Sequence, residues 1–290
     1  MTINDAHCHF FSSRFLELLA PDGGGAEAVA QRLGWDAPGD AASLADRWVA
    51  ELDRQGVARA ALIASIPGDG ASVAEAVARH PSRFAGFFMH NPAAQNAEAT
   101  LTRALEEWRM RTVCLFPAMH GYRLDDDVVD RVFRAASDHG AAVFAHCGVL
   151  TVGVRKKLGL PSRFDLRLGD PLALSRTALA YPGVPVIVPH FGAGYFRETL
   201  MAADQCPTIH LDTSSSNGWI KFHPGLTLDA VFAQALATIG PSRLLFGTDS
   251  SFFPRGWQRP IYDDQRRILG ALDADQQAIF AGNFDRLFPR

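Results

Sequence analysis

Eight short, strongly apolar segments recur along the 290 residues, and helical patterns separate them. This alternation constrains the fold more than any other feature. The segments are 3–9, 58–65, 84–90, 112–117, 141–147, 184–189, 208–212 and 244–248. Each is short and nearly uniform in apolar character, as strands covered on both faces must be. Between them Leu44, Trp48 and Leu52 mark one helical stripe, with Gly56 as its stop. Val73 and Val77 mark a second, and Leu101, Leu105 and Trp108 a third. Asp125 to Asp127 supply N-terminal caps for a fourth, which Gly140 ends. Further stripes run through 172–180, 195–203, 228–239 and 262–269, with a last helix after Asp273. These are core-facing surfaces and carry no cofactor role.

Eight strands alternating with helices predict a parallel sheet with right-handed crossovers, and eight is the number that closes a (β/α)8 TIM barrel. The expected organisation is one α/β domain over 1–290. A doubly wound open sheet is the alternative, but it needs a glycine-rich phosphate turn after the first strand. Gly23-Gly24-Gly25 lies well past that strand and lacks the spacing. Two connections are long, 11–42 after the first strand and 148–170 after the fifth. Loops that follow barrel strands surround the mouth, so both insertions are expected to cap it.

Composition narrows the function. Hydrophobic residues make up 48%, charged residues 20%, and the net charge is −3. That balance recruits neither nucleic acid nor an anionic membrane through bulk charge. No apolar run reaches a membrane span and no signal-peptide pattern opens the chain, so a cytoplasmic protein is expected. Cys8, Cys114, Cys147 and Cys206 show no metal or disulfide spacing. Cys8 and Cys147 read as small buried residues on the helix-facing side.

The first strand reads Asn4-Asp5-Ala6-His7-Cys8-His9. Alternation puts His7 and His9 on one face, where two imidazoles can grip a divalent metal. A catalytic site of this kind needs about three protein ligands and an open position. In a barrel the partners belong at strand C-terminal ends, and three further segments finish there with suitable groups: His146 on the fifth, His190 on the sixth, Asp249 on the eighth.

On Asp5-Ala6-His7-Cys8-His9, His146-Cys147-Gly148, Pro189-His190-Phe191-Gly192, Leu245-Phe246-Gly247-Thr248-Asp249 and the closing Gly282-Asn283-Phe284-Asp285-Arg286-Leu287, the chain resembles the amidohydrolase-related TIM-barrel metal hydrolases. The branch is the one containing aminocarboxymuconate semialdehyde decarboxylase and 2-pyrone dicarboxylate lactonase-like proteins. The resemblance implies that His7, His9 and His146 are metal ligands. Asp249 would be a ligand or the acceptor of a proton from the activated water, and His190 a general acid/base. Two-metal relatives carry a bridging lysine on strand four. Here that strand reads Thr112-Val113-Cys114-Leu115-Phe116-Pro117, so one divalent ion is expected. Zinc suits the donor set, with manganese or iron as alternatives. Many relatives have Lys-Leu-His-Pro where this chain has Cys114-Leu115-Phe116-Pro117, which puts the substrate contacts of this strand in doubt. The resemblance also points toward a homodimer.

Tyr122, Arg123, His120 and Trp219 are candidate substrate contacts, set against the ordinary reading of each as a loop or helix-entry residue. His90, His210 and His223 read as hydrogen-bonded histidines outside the site. Arg155, Lys156 and Lys157 read as a solvated charge run, and Phe252, Phe253 and Trp257 as loop aromatics that either line a pocket or pack the loops. Ser12 and Ser250 lack a nucleophile elbow. The function expected is a metal-dependent hydrolase in which activated water attacks the carbonyl of a small-molecule lactone, ester or amide. The alternative is a metal-dependent nonoxidative decarboxylase of a small aromatic or muconate-type acid. A noncatalytic metal-binding barrel ranks last.

Overall fold

In the structure, a computed structural model that describes residues 1–215 and 217–290, the eight segments form parallel strands paired in chain order. They are β1 (Asn4–His9), β2 (Arg59–Ala64), β3 (Phe84–His90), β4 (Thr112–Leu115), β5 (Ala142–Ala145), β6 (Val186–Val188), β7 (Ile209–Asp212) and β8 (Leu244–Leu245). The sheet closes on itself between β8 and β1. Ala6 N donates to Phe246 O at 2.8 Å, Asp249 N to His7 O at 2.9 Å and His9 N to Ser250 O at 2.7 Å. The expected (β/α)8 TIM barrel is the fold.

Alternation along the strands builds two cores. Ile63, Phe87, Phe144, Ile187 and Leu245 fill the barrel interior. Leu62, Phe88, Val113, Val143 and Leu211 face outward under the helices. Burying each such side chain contributes on the order of 1.5–3 kcal/mol, which offsets the entropy of ordering the strands. Cys8 and Cys147 belong to the outer core, as expected, whereas Cys114 faces inward.

Several strands stop earlier than the apolar runs suggest. β4 ends at Leu115 because Pro117 begins a helical turn, Pro117–His120. β6 ends at Val188 because Pro189 has no N–H for the ladder and His190 and Phe191 turn left-handed. The residues released in this way are the ones that rise into the mouth.

The closing helix Asn283–Leu287 serves the opposite end of the barrel. Its Phe284 and Phe288 join the interior cluster, with Phe288 5.1 Å from Phe87 between ring centroids. Asn283 Nδ2 donates to Pro241 O and Leu244 O, and Asp285 pairs with the buried Arg59 at 2.7 Å.

The two long insertions meet over the mouth in a core of their own. Helices Ser13–Leu19 and Ala26–Leu33 contribute Phe15, Leu16, Val29 and Leu33, and helix Gly153–Lys157 and its end contribute Val154 and Leu158. Ser12 caps the first helix by accepting from Phe15 N at 2.9 Å, while its hydroxyl faces both oxygens of buried Asp69 at 2.8 Å.

Candidate metal centre

A register shift between Asp5 and Cys8 interrupts the β1–β2 ladder just before the first histidine. The His7 N–H therefore turns to the Asp5 side chain, which accepts it at 2.9 Å. Asp5 also accepts from Thr248 N (3.1 Å), Thr248 Oγ1 (2.5 Å) and Trp257 Nε1 (2.7 Å). Its carboxylate thus ties the histidine-bearing strand to the turn that presents Asp249. Burial nevertheless raises its pKa above the usual value, against these hydrogen bonds.

His7 Nε2, His9 Nε2 and Asp249 Oδ1 form a triangle. The edges are 3.3 Å between the two imidazoles, 3.0 Å from His9 to Asp249 and 3.6 Å from His7 to Asp249. Corners so spaced lie about 1.9 Å from their common centre, just inside the ~2.0–2.2 Å bond lengths of zinc to nitrogen and oxygen. The donors fit a small divalent ion, and the three residues form a group able to hold one.

The outer nitrogens are committed elsewhere. Ser65 Oγ donates its proton to Ile63 O at 2.9 Å, so His9 Nδ1, 2.6 Å away, is the donor to Ser65. His7 Nδ1 donates to Asp212 Oδ2 at 2.5 Å. In the neutral rings both Nε2 atoms then carry lone pairs directed into the triangle, the tautomer a ligand requires. Burial alone would lower the pKa of His7. The Asp212 carboxylate, helped by Asp249 and Asp5, overrides burial and raises it to about 8. A proton therefore competes with a metal ion for Nε2 near neutral pH. Burial works against the Asp249 carboxylate too, but when the imidazoles are protonated the His9 hydrogen bond and the charges of His7, His9 and His190 hold it well below the usual range.

His190 stands 5.0 Å from His7 and 5.5 Å from His146, between ring centroids. Its Nδ1 lies 2.8 Å from Ser214 Oγ, which is also 3.1 Å from His7 Nδ1. Its backbone is left-handed at φ 53°, as is that of Asp249 at φ 60°. Such conformations cost about 1–3 kcal/mol each for residues with side chains and persist only where the surroundings enforce them. Gly148 leaves room for the turn that follows His190. A Cβ there would lie 2.3 Å from Gly192 O and 2.4 Å from Ala193 O, so only glycine admits this approach.

His146 stacks on Phe116 at 5.2 Å and lies outside the close triangle. Its Nδ1 is buried with no hydrogen-bond partner among the described residues. Burial, then the charges of His190 and His7, lower its pKa well below the ordinary value and keep the ring neutral.

These residues form the floor of a cavity of about 660 Å3. Both insertions wall it, through Phe11, Phe15 and Trp35 on one side and Val149 to Val154 with Lys157 on the other. Of the expected substrate contacts, Trp219 lines the cavity. His120, Tyr122 and Arg123 do not. Tyr122 is buried in the helix-facing core, His120 lies against it at 6.4 Å, and Arg123 pairs with Asp125 at the surface. Lys157, read from the sequence as part of a solvated run, reaches the cavity, as do Lys221 and Phe252. Phe253 and Trp257 pack in the outer core instead.

Asp212, Ser65 and Ser214 escaped the sequence reading. Asp212 had a signal: it ends the seventh apolar run, where the rule that singled out His146 and His190 applies equally. The serines had none, because a serine past a strand end is common in any loop.

The amidohydrolase family model, Amidohydro_2, matches residues 4–290. The chain belongs to the amidohydrolase family. No curated protein matches this amidohydrolase in sequence. Solved structures share its fold at low identity. An amidohydrolase from Burkholderia multivorans with bound zinc is 15% identical, with TM-score 0.67, over 99% of each chain. A variant 5-carboxyvanillate decarboxylase from Novosphingobium aromaticivorans with bound manganese is 16% identical, with TM-score 0.61, over 100% of this chain and 97% of its own. A putative 2-pyrone-4,6-dicarboxylic acid hydrolase from Pseudomonas putida is 20% identical, with TM-score 0.61, over 99% and 97%. No helix among the described residues is long and apolar enough to cross a membrane.

Proposed function

We propose that this amidohydrolase is a metal-dependent hydrolase of a small-molecule lactone, ester or amide, working with one divalent ion, zinc in the first instance. The observation that carries this reading is the triangle of His7, His9 and Asp249, with both imidazoles committed to the ligand tautomer by Asp212 and Ser65. His146 is the further ligand, its neutral ring adjoining the same floor. When bound, the ion supplies Lewis acidity, polarising a carbonyl and bringing the pKa of water to about 7.

The chain's own residues do the rest. Asp249 accepts the proton that the attacking water loses. His190, held at Nδ1 by Ser214, keeps Nε2 for proton transfer to the leaving group. The aromatic walls and the cap exclude bulk water, which strengthens every charge interaction on the floor. A homodimer in the cytoplasm belongs to the same proposal.

Nonoxidative decarboxylation is the second reading. What favours it is Arg255, which lines the cavity and reaches the main chain of Asp249 at 3.4 Å, a placement suited to a substrate carboxylate. In that case the carbon–carboxylate bond breaks, CO2 leaves, and His190 delivers the proton the carbon takes up.

The test is a panel of lactones and esters with and without chelator, beside CO2 release from 2-hydroxybenzoate-type acids. Hydrolysis that is lost on chelation, restored by zinc and absent in His7→Ala is the expected result. Hydrolysis indifferent to all three treatments removes the metal from the reaction. CO2 release with no ester or lactone turnover replaces the first reading by the second.

A further inference from the structure

Asp212 and Ser214 serve two histidines of the cavity floor at once. Ser214 Oγ lies 2.8 Å from His190 Nδ1 and 3.1 Å from His7 Nδ1, and Asp212 Oδ2 lies 2.5 Å from the same His7 nitrogen. All four residues are buried. The two imidazoles are the only hydrogen-bond partners of the Ser214 hydroxyl among the described residues.

A hydroxyl has one proton to give and two lone pairs. His7 Nδ1 gives its proton to Asp212 and so cannot accept one from Ser214. The serine oxygen takes at most a share of that same His7 proton. Its own proton then has a single acceptor within reach, His190 Nδ1. A neutral imidazole that accepts at Nδ1 carries its proton at Nε2. The reverse arrangement, with His190 Nδ1 donating to Ser214, strands a buried hydroxyl proton without an acceptor, at the full cost of desolvating it.

The segment that carries the hydroxyl is held on every side. Ser214 N donates to Asp212 Oδ1 at 2.6 Å, so one carboxylate holds His7 with one oxygen and Ser214 with the other. Between them, Thr213 N donates to Leu245 O at 2.9 Å. Buried Gln265, on the helix Arg259–Ala271, clamps Thr213 from outside the barrel. Its Oε1 accepts from Thr213 Oγ1 at 2.6 Å and its Nε2 donates to Thr213 O at 2.8 Å.

We infer that Ser214 is the positioning residue of His190: its hydroxyl proton, turned away from His7 by Asp212, fixes the neutral His190 ring with Nε2–H toward the cavity, so that His190 meets a ligand oxygen as a hydrogen-bond donor. The inference rests on the proposed function only in making His190 a participant in the reaction. It leaves the removal of a proton from water to Asp249.

Long-range proton–nitrogen correlation spectra of protein labelled at histidine with 15N read the proton position directly, with His190 assigned by the signals lost in His190→Asn. With the ring neutral, His190 is expected to show a bare Nδ1 and a protonated Nε2, in the zinc-loaded and the chelator-treated protein alike. In Ser214→Ala the single tautomer gives way to a mixture while His7 keeps its proton at Nδ1, and Ser214→Cys, with its weaker S–H donor, restores part of the preference. On esters, Ser214→Ala lowers turnover of alkyl substrates by at least about tenfold and of nitrophenyl substrates by about twofold or less, because a poor leaving group depends on a donor and a good one does not. A proton found at His190 Nδ1 in the native protein, an unchanged tautomer in Ser214→Ala, or equal losses on the two ester classes overturns the inference. The spectra need no turnover, which separates the two claims. The expected tautomer in a protein that hydrolyses nothing keeps the inference and removes the hydrolase reading, and metal-dependent hydrolysis with His190 protonated at Nδ1 does the reverse.

Discussion

Asp212 Oδ2 stands 2.5 Å from His7 Nδ1, and both residues are buried. The pair fixes which ring nitrogen of His7 faces the floor of the cavity. Carboxylate partners of this kind typically govern metal affinity by 10–100-fold. Asp212→Asn is therefore expected to weaken zinc binding by at least about tenfold with the fold intact, measured by competition with a chromophoric chelator. Undiminished zinc affinity would show that the pair is merely structural.

Gly247 guards that pair. A Cβ at this position would lie 2.6 Å from Asp212 Oδ1, 2.9 Å from His7 Cβ and 3.0 Å from Ser214 Cβ. Overpacking of this sort costs about 1–3 kcal/mol. Gly247→Ala is expected to lower stability by that amount and zinc affinity together. A variant with native stability and native affinity contradicts the geometry.

Three buried histidines away from the candidate metal site are expected to make the protein acid-sensitive. Burial, with the charge of His120 in the case of His90, pushes the pKa of His90, His120 and His210 down to about 4. Their neutral forms are the ones that fold, so the unfolded chain binds more protons below about pH 6.5. Stability is full above that pH and is lost as the pH falls toward 4. Each group contributes roughly 1.4 kcal/mol per pH unit within the window. Urea unfolding at pH 7.5, 6 and 5 should show the decline, and His210→Asn, which keeps a donor for Thr208 O, should reduce the slope by about one proton. An unaltered slope would mean that His210 titrates normally.

The two ends of the barrel are separable. Phe284 fills the interior at the end far from the candidate metal site, and truncating a buried phenylalanine costs about 3–5 kcal/mol. Phe284→Ala is expected to lower the unfolding free energy by that amount while the folded fraction binds zinc normally. Loss of zinc affinity in the folded protein would show that the ends are coupled.

The sequence by itself determined the barrel, the capping role of the two insertions and the strand-end positions of His7, His9, His146, His190 and Asp249. Those facts follow from periodicity, since alternating apolar runs dictate which face of a strand is buried and where it ends. Only the tertiary structure decided which of these groups lie within reach of one another: His7, His9 and Asp249 close a triangle, while His146 lies beyond it. It also brought in Asp212, Ser65 and Arg255, and left Tyr122 in the outer core and Arg123 at the surface. The physical reason is that strand patterns act over a few residues, whereas hydrogen bonds such as His7–Asp212 join positions some two hundred residues apart, through loop paths that no local pattern encodes.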